Sequence, residues 1–515
     1  MKYLKRFGTE DEYNYFKIGD RYNKPNVSSV LQGSKVKYSR DNVLTFKAKA
    51  ANSTISFVQT INSEFTGTAE TIYIEYSLDK GWTWSEYVLG TEIVLANVGD
   101  TIRFRGNNPN GLATYIDLDT NNYAFCKFIM TGQFKASGDV TSLLNMVGGD
   151  ILLPSEAFFM LFSNCESLLV APNLPSTTLN TRCYYAMFWL CTNLTRAPKL
   201  PATNLAESCY IDMFAQCHSL TNVGKLPATQ MVLSCYEQMF YECTSLVTAP
   251  ELHSMSLAEK CYKDMFWKCS SLKNAPELPA TTIADRCYES MFGECVSLVN
   301  PPTELPAMTL TFNCYLYMFD GCTNLIKTPN LPATTMAEHC YSNMFRNCTS
   351  LIEVPSNLPA ITMNKWCYNR MFQNCTSIKQ GPSISAVNLS EGCFSEMFAG
   401  CVSLETAPNL TATTLAIKCY QYMFEGCTSL HIAPVLPALT LVSKCYAGMF
   451  GLCTQLEYIK AMCLTKPSST YSSEWAKNVK NSGTFVKNAE ATWENTFSTS
   501  CIPKSSTYKW TVVLE

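Results

Sequence analysis

Apolar and polar residues alternate along this chain in two different rhythms. From about Val43 to Met146 the apolar positions recur every second residue, as in LTFKAKA, STISFVQT, TIYIEYSL, TIRFRG and AFCKFIMTG. That period predicts half-buried strands. Turn signals separate them, including Asp79-Lys80-Gly81 and Gly106-Asn107-Asn108-Pro109. The region therefore reads as a small all-β sandwich. Beyond it a second rhythm takes over: Cys-Tyr-x-x-Met-Phe-x-x-Cys, then x-Ser/Asn-Leu-x-x-Ala-Pro-x-Leu-Pro-Ala. The motif starts at Cys183, Cys209, Cys235, Cys261, Cys287, Cys314, Cys340, Cys367, Cys393, Cys419 and Cys445, a spacing of 26 residues stretched twice to 27. A fixed period of this size predicts a solenoid, whose turns bury their apolar sides against one another.

One unit, residues 335–359, shows the expected element. Met336, Cys340, Tyr341, Met344, Phe345 and Cys348 form an apolar stripe at helical spacing, which predicts a short helix. Thr335 with Glu338, and Ser256 with Glu259, match a capping box at its start. Ser342, Asn343, Arg346 and Asn347 lie between the stripe positions, so they should face water and tolerate replacement. Leu351 should point inward and open a strand of three or four residues. A column of prolines, Pro355 among them, keeps that strand short, because proline has no N–H to give to a ladder. Each turn thus reads as short strand, proline-rich arm and short helix, with Cys340, Tyr341, Met344, Phe345, Cys348 and Leu351 as its core. The repeat is degenerate at its start (Ala157-Phe158, Leu161-Phe162). It dissolves after Leu456, leaving a tail with Trp475, Phe485, Trp493 and Trp510 that should cap the final turn.

Composition narrows the function. Of 515 residues 47% are hydrophobic and 16% charged, and the net charge is -3. No electrostatic footprint for nucleic acid is present, and no apolar run is long enough for a membrane span. The N-terminus is charged throughout and carries no secretory pattern. Of the 26 cysteines, 23 occupy two repeat columns. A disulfide framework is one reading; buried free thiols behaving as small hydrophobes is the preferred one. The spacing does not suit zinc, and His218, His253, His339 and His431 fall at unrelated repeat positions.

Candidate sites come from the positions that vary between turns. Trp189, Tyr241, Trp267, Tyr317 and Tyr422 lie on the presumed outer helix face, either as recognition aromatics or as padding between turns. Glu251, Glu277 and Glu304 follow the proline column on consecutive turns, either as a solvated stripe or as a site for a cation or a basic partner. Ser77-Leu78-Asp79-Lys80-Gly81-Trp82-Thr83-Trp84 matches an Asp-box, which sialidases carry in several copies. One copy, without a placeable carboxylate pair, reads as a hairpin device rather than a glycosidase. No catalytic motif and no cofactor site is found.

The unit CYxxMFxxCTSLxxAPxLPATTLA resembles the BspA-like leucine-rich repeats of gut anaerobes and their phages, over about residues 155–460. EYSLDKGWTWSEY and LANVGDTIRFRGNN resemble the module that precedes such repeats, and GTFVKNAEATWENTFSTSCIP resembles their usual end. The opening MKYLKRF, PNVSSV and VKY looks like the start of phage or prophage structural proteins. The resemblance implies an α+β chain: a leucine-rich-repeat solenoid of about 12 turns, preceded by a β-sandwich and closed by a C-terminal cap. The division is an attachment segment (1–40, with a helix around Thr9–Ile18 and a lone strand near Val36–Tyr38), sandwich (41–146), solenoid (147–460) and cap (461–515). It further implies adhesion without catalytic residues or cofactors. The partners would be a host surface protein or glycan, or other virion proteins, with a second copy of the chain as a further candidate. Surface members of the family usually carry an export signal or lipid anchor; departure from that pattern favours a virion over a bacterial cell surface.

Overall fold

The computed structural model describes residues 29–32, 35–39, 42–117, 120, 122–503 and 510–515. The helix expected around Thr9–Ile18 lies outside them. The strand near Val36–Tyr38 is not alone: β2 (Lys35–Ser39) pairs antiparallel with β1 (Ser29–Gln32).

Two sheets form the sandwich. One comprises β3 (Leu44–Ala48), β5 (Ile74–Ser77), β6 (Ser85–Glu86), β8 (Thr101–Gly106) and β11 (Phe134–Ser137), together with β12 (Leu168–Val170), in the order β12-β11-β3-β8-β5-β6. The other orders β7 (Ile93–Leu95), β4 (Ser53–Ile61), β10 (Asn122–Thr131) and β9 (Ala113–Asp117) as β7-β4-β10-β9. Alternation does what the sequence predicts: β8 buries every second residue. Phe46 and Phe104 of one sheet meet Phe128 of the other at ring distances of 4.9 and 5.3 Å. After β11 a single turn of helix, α1 (Ser142–Asn145), leads toward the repeats.

No break separates sandwich from solenoid. β12 belongs to the first repeat turn yet pairs in parallel with β11. Phe128 of β10 stacks on Phe162 of the first turn, centroids 5.3 Å apart and planes 9° apart. Its N–H donates to Leu161 O (2.9 Å). A single apolar cluster runs from Leu44 to Trp510.

The expected repeat helices are absent. Between α1 and α2 (Ser469–Ser472), both four residues long, there is no α-helix. In the turn containing Cys340 the backbone N–H groups alternate instead. Those of His339, Tyr341, Asn343, Phe345 and Asn347 donate to carbonyls of the next turn (Lys365, Cys367, Asn369, Met371 and Gln373). Those of Cys340, Ser342, Met344, Arg346 and Cys348 donate three residues back within the turn. His339, Asn343 and Asn347 have φ of 55°, 56° and 61°. A left-handed residue at every fourth position is incompatible with an α-helix. It winds the chain into successive four-residue turns whose other face is a ladder to the neighbouring turn. Positions four apart still share a side, so the apolar stripe survives: Cys340, Tyr341, Met344, Phe345, Cys348 and Leu351 are all fully buried.

Three further expectations are corrected. Thr335 and Ser256 cap no helix; they form single parallel bridges to Thr309 and Thr282. Ser342 and Asn343 do not face water but are 1% and 4% exposed, because the four-residue turn points them toward the next turn. The Ser342 hydroxyl accepts from Asn343 Nδ2 (2.9 Å), and Asn369 Nδ2 donates to Ser395 O (3.0 Å) in the turn beyond. The strands along the leucine column are mostly single bridges, such as Thr248↔Asn274↔Asn300. A pair of two-residue strands, β13 (Asn357–Leu358) with β14 (Ser383–Ile384), lies farther along on the proline-rich arm.

Nor does the repeat dissolve after Leu456. Ile432 bridges Tyr458, where β15 (Tyr458–Ala461) pairs in parallel with β16 (Thr484–Lys487), and β16 with β17 (Thr511–Leu514). Tyr458, Thr484 and Thr511 keep the spacing of the repeat although its motif is gone. Trp475 continues the aromatic stack, 6.0 Å from Tyr446, and its indole N–H donates to Cys501 O (2.7 Å).

Candidate interaction surface

The solenoid core consists of stacked columns. Twelve phenylalanines from Phe162 to Phe450 lie ring on ring, Phe162–Phe188 at 5.3 Å and 3° and Phe424–Phe450 at 5.9 Å and 4°. The second cysteine column supplies a hydrogen bond per turn. Eleven of its twelve thiols, from Cys191 to Cys453, donate to the carbonyl of the phenylalanine one turn back at 2.9–3.2 Å, and the first, Cys165, donates to Phe128 O of β10 (3.1 Å). All 26 cysteines are free and buried. Burial pushes the Cys340 thiol up to about 12 and Cys348 well above the ordinary range. Such thiols are poor nucleophiles.

The five aromatics expected on an outer helix face are half-buried. Trp267 stacks on Tyr241 at 4.7 Å and lies against Gly293 of the next turn, where a Cβ would come within 2.7 Å of the indole. Tyr422 covers Gly448 in the same way. The Arg346 guanidinium sits 5.1 Å from the Tyr317 ring. Trp189 occupies the Trp267 position, three turns earlier. These rings span neighbouring turns and are not brought together into one patch.

Charges on this edge are largely engaged in pairs between turns, such as Arg346–Asp320 and Arg370–Glu396. Asp212 stands apart. Burial, with Glu237 and Asp264 nearby, lifts its carboxyl to about 7, against the pull of Lys263.

The three acids of the arm stay exposed and do not converge on an ion. Glu277 accepts from the Thr303 hydroxyl (2.6 Å) and backbone N–H, Glu304 accepts from Asn330 Nδ2 (3.1 Å), and Glu251 lies 3.5 Å from His253. Among the described residues no group of three or more His, Cys, Asp or Glu is placed to hold a metal ion. The Asp-box is a closed turn: Asp79 accepts from the Ser77 and Thr83 hydroxyls and from the N–H groups of Trp82 and Thr83. Desolvation raises its carboxyl, but these donors outweigh it and hold Asp79 well below the usual carboxylate range.

Sequence reasoning treated the Leu-Pro-Ala segment as mere connection and missed the residues after it. From Thr203-Asn204 to Leu439-Thr440, two adjacent columns are exposed at every turn and contain no charged residue. They hold Thr, Asn, Gln and Ser with Met255, Met308, Ile361, Val387 and Leu439. Parallel bridges such as Thr309↔Thr335 and Thr362↔Asn388 keep them level. Two grooves open along them at equivalent places three turns apart. One of about 360 Å³ is lined by Thr335, Ile361 and Thr362; one of about 570 Å³ is lined by Thr413, Leu439 and Thr440.

A stacked solenoid with a leucine ladder, an aromatic ladder and a long level face defines a leucine-rich-repeat protein. The chain belongs to the BspA type leucine rich repeat region family, whose profile matches residues 181–302, 277–395, 304–431 and 368–473. Among solved structures it is similar to a leucine-rich repeat protein from Bacteroides ovatus ATCC 8483. That likeness is 19% identical, spans 64% of this chain and 86% of that one, and has a TM-score of 0.33. No curated protein matches the chain.

Proposed function

We infer that this is a non-enzymatic binding protein carried on a phage particle, where the solenoid contacts the host cell surface. The observation that carries the binding reading is the uncharged double column from Thr203 to Thr440. In a chain with 16% charged residues, twenty exposed positions without one charge suit contact with a host surface protein or glycan along many turns. The family membership agrees with an adhesive role and equally suits a bacterial cell-surface adhesin. The N-terminal resemblance to phage structural proteins favours the particle. Labelling purified particles and producing cells with an antibody to residues 181–473 tests this. Gold on the particle supports the phage reading; gold confined to the cell envelope replaces it with the adhesin. Binding to host cells that survives Ile361→Glu with Thr362→Glu would remove the double column as the contact face.

A further inference from the structure

The residue after the proline position on the arm reads, turn by turn, Asn173, Lys199, Lys225, Glu251, Glu277, Thr303 (followed by Glu304) and Asn330. All are exposed and lie on one face. The series is neutral, two positive, then negative on three turns once Glu304 is counted, then neutral; the two lysine turns and the first two acidic turns are related about a midpoint between the turns of Lys225 and Glu251. Among the described residues neither lysine has an ion-pair partner within the chain.

Beside the two acids lies a groove of about 490 Å³, lined by Val247, Ala249 and Pro276 together with Glu251 and Glu277. Its lining suits a lysine side chain, whose methylene stem packs on apolar surface while its ammonium reaches carboxylates.

We propose that this arm face pairs with the same face of a second copy, running antiparallel. An isologous contact requires each patch to be its own complement under a two-fold rotation. A two-fold axis lying in the interface at the midpoint keeps each column opposite itself and reverses the order of turns. Lys225 then faces the partner's Glu251 and Lys199 faces the partner's Glu277, twice over by symmetry. Asn173 faces the partner's Thr303 and Glu304, so the third acidic turn meets a neutral one. The other charges on the face meet neutral groups: Lys273 falls opposite Thr195, Arg196 opposite Asn274, and His253 opposite Pro227. No like charges meet, so the face satisfies both the attractive and the repulsive side of specificity. This pairing is independent of what the double column binds.

Sedimentation equilibrium on the full chain tests it. The parent chain should dimerise, more weakly as salt is raised. The double variants E251K/E277K and K199E/K225E should each be monomeric yet folded, with circular dichroism like that of the parent chain, because all four positions are exposed. Mixing the two variants should restore a dimer containing one of each. A monomeric parent chain, a dimer unaffected by either reversal, or two variants that fail to combine would each overturn the proposal.

Discussion

The Phe128 ring of the sandwich lies parallel to the Phe162 ring of the first turn, at the same 5.3 Å that separates Phe162 from Phe188. Cys165 Sγ donates to Phe128 O (3.1 Å), just as Cys191 Sγ donates to Phe162 O (3.1 Å). Strand β10 thus stands where an earlier turn would, and the sandwich is the solenoid's N-terminal lid. Replacing Phe128 by Ala should cost about 3–5 kcal/mol, the range for emptying a buried aromatic site. Urea unfolding followed by circular dichroism should show the loss, and the solenoid signal should fall with that of the sandwich.

The thiol column should be chemically silent while the protein is folded. Iodoacetamide should leave Cys348 unmodified in the native state and label all 26 cysteines after denaturation without reductant. Cys348→Ala removes the donor to Phe319 O, which keeps only the N–H of Cys322. A cost of roughly 1–2 kcal/mol is expected. A disulfide-linked fraction in the mass spectrum would contradict the ladder of free thiols.

Asn343 separates the two readings of the repeat. In a helix it would be an outer position, and any substitution would be mild. Here it is buried at φ 56°. Asn343→Gly should stay within about 1 kcal/mol, since glycine adopts that φ freely. Asn343→Val should cost about 2–3 kcal/mol, from a β-branched residue at positive φ and the lost hydrogen bond from Asn343 Nδ2 to Ser342. Thermal melts of the two variants decide; equal shifts would favour a helix.

How much of this was legible in the sequence follows from the same residue. The 26-residue period specified a solenoid, and the Cys, Met and Phe columns specified its core, because burial selects residue type turn after turn. The local conformation was hidden, since a four-residue turn and an α-helix both bring residues four apart to one side. One signal could have separated them. From Arg182 to Leu452 no left-handed position in the repeats is Val, Ile or Thr, the residues least able to adopt positive φ. The last two turns were hidden for another reason. Trp475 and Phe485 fill the core there in place of the motif, so only the spacing of Tyr458, Thr484 and Thr511 persists. The charge-free double column was legible and overlooked, because each Thr pair looks unremarkable until ten turns align it.

Asp212 predicts a pH dependence. Its folded carboxyl is raised to about 7 by burial and by Glu237 and Asp264, against an unfolded value of about 3.9. The folded state therefore keeps a proton that the unfolded chain releases. Stability should fall as pH rises from about 4 to about 7 and level off above. Asp212→Asn should match the parent near pH 4 and exceed it at pH 8. The gain should be roughly 1–2 kcal/mol, well under what about 1.4 kcal/mol per pK step would give at full burial, because Asp212 is only half-buried and solvent screens it. Urea midpoints at the two pH values measure it; an equal gain at both would rule out titration as the cause.

Because β10 presents Phe128 to the first turn as any turn presents its own phenylalanine, neither end of the rod senses how many turns lie between. A duplicated or deleted unit leaves both lids with the neighbours they already have. The distance from the sandwich to the C-terminal sheet is thus free to drift in steps of one turn. Gain or loss of a whole repeat would lengthen or shorten the reach of the molecule without redesigning anything that holds it together.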